Sequence, residues 1–135
     1  MKAIIYTDGG ARGNPGPAGI GAVITIGKNQ HTVAEYIGEA TNNQAEYKAV
    51  ILALTKAREL GVDEATVYLD SELVQQQLLR KYKVKNQDLA TLFVQAWNLS
   101  LQFKSIKFIH VMRADNTLAD QLVNQAIDDA TLDKK

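Results

Sequence analysis

Four carboxylates are placed where they could do chemistry together. Asp8 closes the apolar run "AIIYTD" and Asp70 closes "ATVYLD", so a strand delivers each to the start of an irregular or helical segment. Strand ends beside helix starts are where open α/β sheets place ligands. Glu46, beside Ala45, Ala49 and Val50, falls in the first turn of a long helix. Asp120, flanked by Leu118, Ala119 and Leu122, falls in the first turns of the last one. Each acid alone has a structural reading, because helix dipoles favour acids near N-termini and aspartates form turns after strands. Four acids brought to one edge by four elements repel one another, and a cation makes that arrangement stable. The chain has no cysteine and two histidines, so its donors are oxygens, which suit a hard ion such as Mg²⁺ or Mn²⁺.

The elements that must position these acids follow from patterning. Residues 3–8 read as a buried strand, followed by a loop rich in glycine and proline (Gly9, Gly10, Gly13, Pro15, Gly16, Pro17, Gly19). So much backbone specification means either a long hairpin connection or a backbone that comes close to something else. Residues 19–27 and 31–40 read as an antiparallel hairpin across "KNQ". Thr41, Asn42 and Asn43 can each cap the helix that runs to Leu60, and Gly61 ends it. A strand over 65–70, a helix over 71–82 capped by Ser71, a polar link, a helix from Asp88 to Phe103, a strand over 106–112 and a helix beginning after Asp115 or Asn116 complete the chain. The order βββαβααβα predicts a mixed α/β sheet covered by helices.

Length and composition fit one domain over residues 1–135, with the last few residues a frayed tail. Hydrophobic residues make up 46% and charged residues 22%, and Lys+Arg equal Asp+Glu at 15 each. A zero net charge argues against wrapping nucleic acid by general electrostatics, while leaving room for a local phosphate-binding groove. No segment approaches the ~20 apolar residues of a membrane span. The absence of disulfides leans towards a reducing compartment, and the expectation is a cytoplasmic protein.

Four blocks, "YTDGGARGNPGPAGIGAV", "TNNQAEYKAVILAL", "VYLDSELVQQQL" and "NTLADQLVNQAID", together resemble the type 1 ribonuclease H family (ribonuclease HI), in family order from residue 3 to about residue 128. The resemblance implies a five-stranded mixed sheet with helices on both faces. It implies a metal-dependent endonuclease that cuts the RNA strand of an RNA–DNA hybrid, leaving a 3′-hydroxyl and a 5′-phosphate. The family's acidic tetrad falls on Asp8, Glu46, Asp70 and Asp120. These would hold two Mg²⁺ ions with substrate bound, Mn²⁺ substituting. Two such ions clamp an in-line displacement, one activating water and one stabilising the leaving oxygen. Asp8 would bridge both ions, Asp120 would complete the water-activating site, and Glu46 and Asp70 the leaving-group site. No obligatory protein partner is implied, and the expected state is a monomer.

On the same footing the backbone at Gly9 would approach the hybrid, and Asn14, Asn42 and Asn43 would read a 2′-hydroxyl, since an amide both donates and accepts. Ser71 has two readings, a helix cap or a contact to the substrate backbone, and the asparagines have the same ambiguity. Glu72 stands where some family members carry glutamine. In place of the long basic protrusion of many bacterial members stands "LLRKYKVKNQDL", with Arg80, Lys81, Lys83 and Lys85, either a reduced basic patch or a solvated helix end. Where many members have a mobile histidine, His110 lies inside a strand pattern and Arg113 is expected to face the site. Phe93 and Trp97 share helical spacing with core residues.

Two other readings compete. A hybrid-binding module without turnover would be expected to have lost Asp8 or Asp70. A resolvase or integrase core would leave the GNPGPAG and TNNxAE blocks unexplained. Fold alone does not separate these.

Overall fold

The computed structural model describes residues 1–132, so the expected frayed tail lies outside the described residues. Five strands, β1 (Lys2–Ala11), β2 (Gly16–Ile26), β3 (Asn29–Ala40), β4 (Glu64–Leu69) and β5 (Ser105–His110), form one sheet in the order β3-β2-β1-β4-β5. The first three pair antiparallel; β1 pairs parallel with β4, and β4 parallel with β5. Four helices complete the fold: α1 (Asn42–Glu59), α2 (Glu72–Leu78), α3 (Gln87–Ser100) and α4 (Thr117–Thr131), the last preceded by a 3₁₀ turn at Arg113–Asp115. The mixed sheet and element order match the sequence-based expectation.

Two faces of the sheet are used differently. On one, Ile5, Ala22, Ile24, Val67 and Leu69 meet Tyr47, Val50, Ala53 and Leu54 of α1, with Leu78 and Ala96 of α2 and α3, in the main core. On the other lies α4, against β1, β2 and β3. The side-chain alternation of a strand sends Ile5 to the core and Asp8 to the α4 side.

The glycine-rich stretch differs from its expected form. β1 runs on to Ala11 and β2 begins at Gly16, so the connection spans residues 12–15 only, with a cis Asn14–Pro15 peptide. Asp8 therefore lies within a strand, opposite Gly21, rather than at its end. The glycines admit other backbone of the same chain. A Cβ at Gly9 would stand 2.2 Å from the Ala45 carbonyl oxygen, and one at Gly21 would stand 2.6 Å from that of Ala119. Helices α1 and α4 thus rest directly on strand backbone, and this close seating fixes where Glu46 and Asp120 arrive.

Other boundaries shift modestly. α2 stops at Leu78 instead of Tyr82, because Arg80 takes a left-handed conformation (φ 64°) as the chain turns out of the helix. β5 ends at His110, and Val111 donates its N–H to Leu69 O beyond the paired register. α1 is capped by Thr41, in a reciprocal box with Gln44, rather than by Asn42 or Asn43.

Candidate metal centre and nucleic-acid cleft

Parallel pairing of β1 with β4 sets Thr7 beside Leu69, so the next residue of each strand, Asp8 and Asp70, arrives at the same edge. α1 then lays Glu46 over Gly9, whose N–H donates to Glu46 Oε1 at 2.5 Å. Oxygen atoms of Asp8, Glu46 and Asp70 lie within 4.8 Å of one another. Asp8 and Glu46 are buried, at 7% and 8% exposure.

Burial and mutual repulsion both disfavour charge here. The Asp8 carboxyl is pushed up to about 7, first by burial and then by the neighbouring charge of Asp70. Glu46 is raised well above the usual carboxylate range by burial and by Asp8 and Asp70, and the Gly9 N–H only partly offsets this. Three converging carboxylate oxygens fit a hard divalent ion, whose charge would favour the ionised forms of Asp8 and Glu46.

Asp120 enters from the first turn of α4 and lines the same cavity, at its partly exposed rim. Arg113 Nη2 stands 3.8 Å from Asp120 Oδ1, and Asn124 Nδ2 3.5 Å from Asp120 Oδ2. Asn124 in turn accepts from Arg12 Nη2 at 3.2 Å, while Arg12 Nη1 pairs with Asp128 at 2.6 Å. Asp120 is thus presented between an arginine and an amide, outside the tight cluster of three. Arg12 and Asn124 went unrecognised in the sequence, where the loop's glycines and the helix's polar face hide them.

The cavity occupies about 520 Å³, floored by the acids and walled by Gly10, Arg12, Asn42, Asn43, Ser71, Arg113 and Asn124. Every expected site residue except Asn14 lines it. Asn14 helps to build its wall: Asn14 Oδ1 accepts from Asn42 N, and Asn42 Oδ1 accepts from Ala11 N. These bonds engage only the acceptor of each amide. Ser71 caps α2 by accepting from Val74 N, which leaves its hydroxyl proton available. Gly9 lines the cavity too, with its N–H committed to Glu46. Arg113 reaches the cavity from the 3₁₀ turn, and His110 ends β5.

Eight residues, 79–86, join α2 to α3. Arg80, Lys81, Lys83 and Lys85 are all exposed there. Arg80 stacks its guanidinium 5.4 Å from the Trp97 ring, and Trp97 stacks on Phe93. Both aromatics are half-buried, and Phe93 packs on the main core. Among the described residues no helix is long and apolar enough to cross a membrane.

Residues 6–126 match the family model described as "Reverse transcriptase-like". The bifunctional protein Rv2228c of Mycobacterium tuberculosis is 50% identical over 133 residues, covering 96% of this chain and 36% of that protein. The chain therefore spans about a third of that relative's length. The N-terminal RNase H domain of Rv2228c, solved as a fusion with maltose-binding protein, superposes with a TM-score of 0.92 at 47% identity over 95% of this chain and all of that one. Ribonuclease HI of Haemophilus ducreyi is 31% identical over 98% of this chain and 95% of its own length. LC11-RNase H1, from compost, solved in complex with an RNA/DNA hybrid, superposes with a TM-score of 0.89 at 48% identity over 95% of this chain and 98% of that one.

Proposed function

This chain belongs to the ribonuclease HI family, and from that premise we propose that it is a divalent-metal-dependent endonuclease acting on the RNA strand of RNA–DNA hybrids, releasing 3′-hydroxyl and 5′-phosphate ends. The observation that carries the reading is the convergence of Asp8, Glu46 and Asp70 within 4.8 Å at the floor of an open cleft, with Asp120 at its rim.

Two Mg²⁺ ions, with Mn²⁺ as a substitute, would supply water activation and leaving-oxygen stabilisation when bound with substrate. The chain's own residues do the rest. Asp8 interacts with Glu46, Asp70 and Asp120 alike and would be the carboxylate that both sides of the centre share. Glu46 and Asp70 hold one side of the centre, and Asp120 the other. Gly9 locks Glu46 in place by its N–H. Asn42 and Asn43 carry amide donors at the cleft wall, suited to a 2′-hydroxyl, with Asn14 bracing Asn42. Ser71 offers its hydroxyl, and the Arg113 guanidinium faces phosphate oxygens beside Asp120. The link after α2 contributes a short basic patch to the flanking backbone, in the manner of a family member without the long protrusion. The domain works as a monomer in the cytoplasm.

The test is cleavage of a labelled RNA–DNA hybrid with Mg²⁺, beside matching RNA–RNA and DNA–DNA duplexes, for the wild type and Asp8→Asn. Hybrid-only cutting that disappears in the variant supports the reading. Folded protein that binds hybrid but cuts nothing with Mg²⁺ or Mn²⁺ overturns it in favour of a binding module.

A further inference from the structure

We propose that Asn116 is a positioning residue of the acidic centre, holding the Asp70 carboxylate against β1 and tying it to the turn that bears Asp120; its kinetic consequence, though not its effect on metal binding, rests on the nuclease reading above. Asn116 stands at the N-cap of α4, where asparagine ordinarily turns its side-chain oxygen onto a backbone N–H two or three residues on. Here the side chain makes no capping bond. It is 1% exposed, and its Nδ2 donates to two acceptors, Thr7 O at 2.8 Å and Asp70 Oδ2 at 3.1 Å.

The partners determine the amide's orientation. Turned over, Oδ1 would face a carbonyl oxygen and a carboxylate, two acceptors with no proton between them. In the orientation present, Oδ1 is buried without a partner. A helix start that forgoes its cap and buries an unsatisfied oxygen breaks two local rules in order to keep one N–H₂ where it is.

What that N–H₂ touches gives the reason. Thr7 precedes Asp8 on β1, so one donor registers the strand that carries Asp8 and the carboxylate beside it. The backbone oxygen of Asn116 accepts from Asp120 N at 3.1 Å. One residue therefore refers Asp8, Asp70 and Asp120 to a common point. Asp70 needs this more than the others, because it lies in a bend just past the end of β4 and faces two other acids. Among the described residues its carboxylate has no other hydrogen-bond donor. A donor fixed on one oxygen stops the group from turning away from Asp8 and Glu46 and leaves its second oxygen for a cation. Outer partners of this kind orient ligands and raise metal affinity.

The experiment compares Asn116→Ala in the wild-type and Asp70→Asn backgrounds. Mg²⁺ titration is followed by the amide resonances of residues 69–71 without hybrid, and hybrid cleavage is measured in parallel. Asn116→Ala is expected to weaken Mg²⁺ binding and lower kcat by roughly 10- to 100-fold, with KM for hybrid changed less than about twofold. In the Asp70→Asn background the same substitution should change neither quantity further. Mg²⁺ affinity kept within twofold of wild type, or an equal loss in both backgrounds, overturns the proposal. If Asn116→Ala does not fold, Asn116→Asp retains the size and replaces the donor with an acceptor. Wild-type Mg²⁺ affinity in that variant also overturns it. A wild-type protein that binds Mg²⁺ yet cuts no hybrid overturns the nuclease reading alone, and the titrations still decide the role of Asn116.

Discussion

Gly9 N and Glu46 Oε1 lie 2.5 Å apart, at the point where a Cβ on residue 9 would stand 2.2 Å from the carbonyl of Ala45. One contact thus seats a helix on a strand and orients a carboxylate. Replacing Gly9 with alanine drives a methyl group into backbone that cannot yield without moving α1. We expect Gly9→Ala to destabilise the fold by about 3 kcal/mol or more, read by urea denaturation. Its Mg²⁺ response should be lost even where the protein remains folded.

Asp8 makes stability depend on pH in a stated direction. Its carboxyl is held near pH 7 in the folded chain, against 3.8 for the free group, so the folded state binds the proton more tightly. Its stabilising contribution is fully present below about pH 4 and is lost as pH rises through 7. Metal-free Asp8→Asn should therefore be more stable than the wild type at pH 8, by on the order of 4 kcal/mol. The difference should close towards pH 4. Melting curves across that range with EDTA present check it, and a difference that grows on acidification contradicts it.

Divalent metal should reverse that penalty. A ligand at 100 times its Kd stabilises by about 2.7 kcal/mol, which for a domain of this size is roughly a 5–12 °C rise in Tm. The wild type should show the rise with Mg²⁺ and lose it with EDTA. Asp8→Asn should not respond.

Arg113 is 84% exposed at its side chain, and its approach to Asp120 is long, so its removal should leave stability unchanged within about 0.5 kcal/mol. Cleavage should fall roughly 10- to 100-fold, the loss of a charge-assisted bond to phosphate. Arg113→Lys should recover part of it. Steady-state kinetics beside thermal melts separate the two effects.

The lysines of the α2–α3 link should act by counting. Changing Lys81, Lys83 and Lys85 together to alanine should weaken hybrid binding at low salt and flatten the dependence of log K on log salt by about 0.7–0.9 for each phosphate no longer neutralised. Binding measured from 50 to 200 mM salt checks it, and an unchanged slope would show these lysines to be solvated bystanders.

Much of the centre was legible in the residues because Asp8, Glu46, Asp70 and Asp120 are each an acid set in an apolar context, and strand or helix periodicity says where each emerges. The glycines misled for a physical reason. Gly9 and Gly19, counted with the loop in a linear reading, lie in strands, where a helix backbone presses on each. That pressure comes from α1 and α4, elements distant in the chain. Asn116 escaped notice for a similar reason: an asparagine before a helix reads as a cap, and its actual partners, Thr7 and Asp70, are brought to it only by the sheet. Thr41 took the capping role open to Asn42 and Asn43 because Gln44 stands where a reciprocal bond is possible.

The parallel pairing of β1 with β4 carries one more implication, for the order of events as the chain folds. No two of the converging acids belong to one local element, and β2, β3 and α1 all intervene in the chain between the strands that bring Asp8 and Asp70 together. Such distant pairings form late, after the entropy of closing a long loop has been overcome. An ion present during refolding then finds no partial site to capture. It should leave the folding rate almost untouched and act on the far side of the barrier, as a brake on unfolding.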